Sequence, residues 1–314
     1  MLLKIENLTV QFGKFTALDI HTPICIENGD RIGIIGSNGA GKSTMIKSIL
    51  GLVPYQGKIY SSLKPEQIAT HMQFNEYTDN MPVRYIMEAI LQTRIARNKK
   101  LQELIDYFEF EECLKKRYSK LSGGQKQRFT IIMILMQDAP LTFYDEVTSG
   151  LDFETRQKLV EKLVEWYRGK DSALCIVSHY YEELEQLAQK LLILDQGRVV
   201  DFGYREELFF KYCKRAVIVL DANEKNKELT ADCKKLASPE HLLVLSVAAE
   251  EEEQKITARL VANNVNFKRS NHDIESIYIN AKQAYEKKQE EEGRQVEEIR
   301  QARGRGQEER RYAG

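Results

Sequence analysis

The chain has 314 residues, enough for two domains, or one large domain with an appendage, and enough to bury a core without disulfide or metal staples. Its 46 Lys and Arg against 47 Asp and Glu leave a net charge of −1, which gives no field of the kind that recruits nucleic acid. The five cysteines are odd in number, widely spaced and free of any C-x-x-C pair, so neither a disulfide framework nor a zinc ribbon is expected, and a reducing compartment fits best. The first residues, Met1-Leu2-Leu3-Lys4-Ile5-Glu6, turn charged too early for a signal peptide. The longest apolar stretches, such as 129–136, fall short of the roughly 18–20 residues that span a bilayer, so the chain is not expected to cross a membrane by itself.

In chain order, residues 1–210 alternate short apolar runs with amphipathic stretches, the pattern of a layered α/β domain with a mainly parallel sheet. The runs at 31–35, 141–144, 173–177 and 190–194 are predicted as buried strands. Between about 83 and 135 the period turns helical. Val83, Ile86, Met87, Ile90 and Leu91 share one face, and Leu101, Leu104, Ile105 and Phe108 another. A helical subdomain inserted over about 74–137 is the simplest reading. A second unit, 211–285, reads as a small α+β domain: apolar runs at 216–220 and 242–248, a helix over 250–262 with Ile256 and Leu260 inward, a run at 265–267, and a helix from about Asp273. That last helix places Ile274, Ile277, Tyr278, Ala281 and Tyr285 on one stripe. From 286 to 314, eight acidic and eight basic residues and Gly304-Arg305-Gly306 predict a flexible charged tail.

Gly36-Ser37-Asn38-Gly39-Ala40-Gly41-Lys42-Ser43-Thr44 matches G-x-x-x-x-G-K-[ST], after a predicted strand and before a helix. Glycines let successive backbone N–H groups turn inward as an anion nest, and the helix N-terminus adds its dipole. Lys42 can reach the β- and γ-phosphates of a nucleotide, and the Ser43 hydroxyl can ligate Mg²⁺. About a hundred residues on, the strand ending Tyr144-Asp145-Glu146 supplies two carboxylates of the kind phosphoryl transfer needs. Asp145 would hold Mg²⁺ through water, and Glu146 would polarise the attacking water.

Leu121-Ser122-Gly123-Gly124-Gln125 sits upstream of Asp145-Glu146. Two glycines and a serine at a helix start make a second anion site, which a chain with one phosphate loop does not need for one nucleotide. With this string the chain resembles the ATP-binding cassette (ABC) proteins over about residues 1–210. The resemblance implies a P-loop NTPase fold of ABC type, with an inserted helical subdomain and a small C-terminal α+β accessory unit. It further implies ATP and Mg²⁺ as cofactors, a second cassette as head-to-tail partner, identical or not, and Ser122, Gly123, Gly124 and Gln125 closing on the partner's ATP. Phe12 corresponds to the aromatic that stacks on adenine, with Phe15 as a competitor. Gln73 corresponds to the glutamine that senses metal and attacking water. Ser149-Gly150-Leu151-Asp152 corresponds to the D-loop, and His179 to the switch histidine that contacts the γ-phosphate. The departures are Val147 in place of the usual proline, and Thr142 and Tyr144 as hydroxyls in a normally aliphatic strand.

Two classes of function follow from the resemblance. One is a transport ATPase at the cytoplasmic face of the membrane, driving separate permease subunits. The other is a soluble cassette acting on ribosomes, nucleic acid or iron–sulfur assembly. A single phosphate loop and signature, with no coiled-coil insert between Lys42 and Asp145, favour the transporter. The Asp273-Ile274-Glu275-Ser276-Ile277-Tyr278 segment resembles the closing helix of ABC-2-type export ATPases, so export is the expected direction. The loop after Gln73, with Tyr77 and Met81, is the expected rim for a permease helix.

Overall fold

In the computed structural model, the runs predicted as buried strands all belong to one six-stranded sheet. Its order is Arg198–Tyr204, Lys190–Asp195, Arg31–Ile35, Ala173–Val177, Leu141–Asp145 and Ile68–His71, all parallel except the first. These strands are apolar on both faces because both faces are covered, as in parallel sheets generally. The structure describes residues 1–71, 77 and 79–312, with side chains described to Glu292 and for Arg294.

The chain divides into two compact units, Met1–Arg205 and Glu206–Gly314. In the first, Leu3–Phe12 is the hub of an antiparallel sheet with Phe15–Ile20, Ile24–Ile26 and Gln56–Ser61. Ile5, Leu8, Val10, Leu18 and Ile20 from it join Ile32, Ile34, Phe143, Cys175 and Leu192 from the parallel sheet in a single core. Arg31, at the base of the phosphate-loop strand, donates to the carbonyls of Gly29, Asp30, Tyr167, Lys170 and Ser172, so it fastens that strand to the end of the helix Phe153–Tyr167.

The helical insertion holds Val83–Ile90, Lys99–Tyr107 and Gly123–Leu135. Val83, Ile86, Met87, Leu101, Leu104, Ile105 and Phe108 are buried as expected. Ile90 is not: its helix ends there, and the side chain is 53% exposed. The 129–136 run is apolar all round because its helix is the buried one of the insertion, with Phe129 to Leu135 all covered.

In the second unit the strands Lys235–Leu236, Leu242–Val247, Ala216–Asp221 and Phe267–Ser270 form an antiparallel sheet. Ala216, Ile218, Leu220, Leu245 and Val247 pack with Ile256 and Leu260 of the helix Glu250–Ala262. Ile274, Ile277 and Ala281 of the last helix are fully buried, as their spacing predicts. That helix runs Ile274–Tyr312, so in its backbone the charged stretch expected to be a flexible tail continues the helix. Opposite charges one turn apart, Lys282 with Glu286 and Lys288 with Glu292, support the helix over those residues. Among the described residues, no helix is long and apolar enough to cross a membrane.

Candidate functional site

The phosphate loop connects the strand Arg31–Ile35 to the helix Lys42–Ile49. Two of its glycines are steric necessities. A Cβ on Gly36 would lie 2.3 Å from the Leu194 carbonyl oxygen, and one on Gly41, at φ +97°, would lie 2.4 Å from Leu18 Cδ2. The loop is thus pressed against the two sheets that carry it, with the Ala40 carbonyl accepting from Gly197 N at 3.2 Å. Lys42 Nζ donates to the carbonyls of Gly36 and Ser37 at 2.8 and 3.0 Å, which places the amine inside the loop's own curve. Burial pushes its pKa down, and the nearby Glu146 and Asp145 charges oppose that shift.

Ser43 Oγ donates to Asp145 Oδ2 at 2.7 Å, across a separation that only the parallel sheet closes. Asp145 is almost fully covered, and burial raises its pKa against the Ser43 bond and Lys42 charge that lower it. A hydroxyl and a carboxylate held together are hard oxygen donors that fit Mg²⁺. Glu146 follows with φ +54°, a left-handed backbone held by its N–H donating to the Val177 carbonyl at 3.0 Å. Its Oε1 lies 3.0 Å from His179 Nε2. Glu146 and His179 therefore lie just beyond the ends of the neighbouring strands Leu141–Asp145 and Ala173–Val177, with both side chains partly open to solvent. Lys42, Ser43, Asp145, Glu146 and His179 are one constellation.

The remaining predicted residues fall into four groups. Phe12 and Phe15 face each other across the tight turn at Gly13 and are 50% and 64% exposed, so either ring is free to stack on a base. Ser122 caps the helix Gly123–Leu135 reciprocally with Gln125: Gln125 N donates to Ser122 Oγ, and Ser122 N donates to Gln125 Oε1. The signature packs beside the D-loop segment of the same chain, since a Cβ on Gly124 would lie 2.9 Å from Thr155 Cγ2 and one on Gly123 3.9 Å from the Gly150 carbonyl oxygen. Asp152 accepts from Thr155 N and Oγ1, which caps the helix that follows and lowers the Asp152 pKa. Gln73 lies outside the described residues.

Sequence reading missed three things here. The hydroxyls of Thr142 and Tyr144 have a partner in Tyr167: the two tyrosine hydroxyls lie 3.3 Å apart, and Thr142 also bonds to Tyr167. Val147 is buried without proline's ring. His71, which has no motif around it, is buried with Nε2 2.7 Å from Gln127 Oε1 and lies near Asp145, and burial holds its pKa below the ordinary value. Tyr77, expected at a docking rim, packs its ring 5.1 Å from Tyr118 and 4.9 Å from Phe129, while Met81 is 38% exposed.

Comparison with known proteins matches residues 21–149 to the ABC transporter family. The methionine import ATP-binding protein MetN of Corynebacterium diphtheriae is 31% identical over 229 residues, covering 66% of this chain and 67% of that protein. The linearmycin resistance ATP-binding protein LnrL of Bacillus subtilis is 27% identical over 292 residues, covering 85% of this chain and 92% of that protein. Among solved structures, an ATP-binding subunit of an ABC transporter superposes with a TM-score of 0.61 at 22% identity, over 68% of this chain and 95% of its own. That likeness shows the cassette fold, and the sequence matches carry the rest: this chain belongs to the ATP-binding proteins of the ABC transporter family and is an ATPase of that family.

Proposed function

We propose that the chain is the ATP-hydrolysing motor of an ABC transporter, peripheral at the cytoplasmic face of the membrane. In this reading it works as a head-to-tail dimer on separate permease subunits. The observation that carries the proposal is the pairing of Ser43 with Asp145 at 2.7 Å beside Glu146 and His179 at 3.0 Å. The glycine loop and Lys42 bind the phosphates. Ser43 and Asp145 would hold Mg²⁺, which supplies charge neutralisation on phosphate oxygens. Glu146 orients and polarises the attacking water, and His179, held by Glu146, contacts the γ-phosphate. The partner's Ser122, Gly123, Gly124 and Gln125 complete the site, because their capped helix start is an anion site this chain's own nucleotide does not need.

Direction is the finer question. The match to a methionine import protein spans 66% of this chain, whereas LnrL, named for resistance, aligns over 85% of it and nearly all of its own length. The matches to proteins named for sulfate, methionine and thiamine import give the expected export direction no support, and an export reading rests on the resemblance of the Asp273–Tyr278 segment alone.

Glu146→Gln tests the motor. The amide keeps the shape but cannot polarise water, so ATP binding should persist while turnover falls by about a hundredfold or more. Size-exclusion chromatography with ATP should then show a stabilised dimer. Wild-type hydrolysis in that variant would remove Glu146 from its role. ATP-driven accumulation in membrane vesicles of known orientation decides direction.

A further inference from the structure

Behind Glu146 and His179 lies a buried carboxylate with no part in the chemistry above. Glu183, in the helix Tyr181–Leu187, is 3% exposed. Its Oε2 accepts from Thr148 Oγ1 at 2.9 Å and from Ser178 Oγ at 2.7 Å. Its Oε1 accepts no hydrogen bond and faces Arg156 Nε at 3.5 Å. Arg156 belongs to the helix Phe153–Tyr167 that Asp152 caps, and its guanidinium lies 3.7 Å over the Tyr180 ring. Ser178 Oγ in turn accepts from Tyr180 N at 3.0 Å.

Three segments meet on this one side chain. Thr148 is two residues beyond Glu146, in a turn where Ser149 N donates to the Glu146 carbonyl. Ser178 directly precedes His179. Arg156 opens the helix after the D-loop segment. A buried carboxylate is costly, and an apolar residue of similar volume would fill the space at less expense. What an apolar residue cannot supply is two directional bonds and a charge, one to each of three segments.

We propose that Glu183 is a positioning residue that fixes Glu146 and His179 relative to each other and ties their spacing, through Arg156, to the D-loop helix. This inference rests on the proposed roles of Glu146 and His179. Because Glu183 touches neither nucleotide nor water in this scheme, its effect falls on turnover and leaves nucleotide affinity alone.

The experiment measures steady-state ATP hydrolysis and melting temperature on the full chain with Glu183→Gln and, as a milder change, Thr148→Val. Glutamine keeps an acceptor for the hydroxyls but removes the charge facing Arg156. For Glu183→Gln, kcat should fall about tenfold with KM for ATP within about twofold, and melting should stay within a few degrees. Thr148→Val should lower kcat about threefold with melting retained. In a Glu146→Gln background, Glu183→Gln should lower the residual rate no further, because the two act as one unit. Unchanged kcat in both single variants, a loss of kcat that only tracks melting, or a full further loss in the Glu146→Gln background would each overturn the positioning role. A wild-type chain that hydrolyses no ATP would overturn the motor reading and this inference together, whereas an active wild type with an equally active Glu183→Gln overturns this inference alone.

Discussion

His71 shows what one buried side chain beside Asp145 does to the whole equilibrium. Burial holds its imidazole below the ordinary value of 6.5, with the Gln127 bond only partly opposing. As pH falls through 6.5 the unfolded chain takes up a proton that the folded chain refuses, so the stability His71 contributes is complete above that point and lost below it. Asp145 and Glu183, both raised by burial, act in the opposite sense, so the comparison must be between variants. Melting temperature of the wild type should fall more steeply from pH 7 to about pH 5.5 than that of His71→Gln, which keeps a partner for Gln127 without a titrating ring. Parallel pH profiles would mean that folding leaves the proton affinity of His71 unchanged.

Among the elements, the clearest test concerns the segment after the Gln73 position. Tyr77 is wedged between Tyr118 and Phe129, and it hydrogen-bonds Thr130, so Tyr77→Ala removes packing from the helical insertion. A cost of about 2–4 kcal/mol is expected, with melting temperature, hydrolysis and any permease binding falling together. Loss of permease binding at unchanged melting would restore Tyr77 to a docking rim. The strands and helices were legible because burial writes itself locally: five apolar residues on both faces of Ala173–Val177, or a 3.6-residue period in Lys99–Tyr107. The phosphate loop was legible because its chemistry is contiguous. Partnerships between distant segments were not. Nothing near Tyr144 announces Tyr167, and Glu183 reads as one acid among several in an ordinary amphipathic helix until Thr148 and Ser178 close on it.

At the scale of the molecule, each unit owns a core, and every residue of the proposed hydrolytic site belongs to Met1–Arg205. Removing residues 287–314 should therefore leave the hydrolysis rate within about twofold and the melting temperature nearly unchanged, since the segment has little apolar surface to bury. Differential scanning fluorimetry on the truncated chain, alongside its ATPase rate, checks this. A large drop in melting temperature would mean that the charged helix docks.

The left-handed backbone at Glu146 carries one more implication, for the direction in which this sequence drifts under selection. A non-glycine residue at φ +54° costs about 1 kcal/mol, and its negative charge raises the pKa of nearby Asp145. Glycine or asparagine at 146 would relieve both penalties. A laboratory population chosen for heat resistance alone would thus accumulate sturdier chains that bind nucleotide and no longer spend it, and only a screen that counts phosphate released would keep the acid in place.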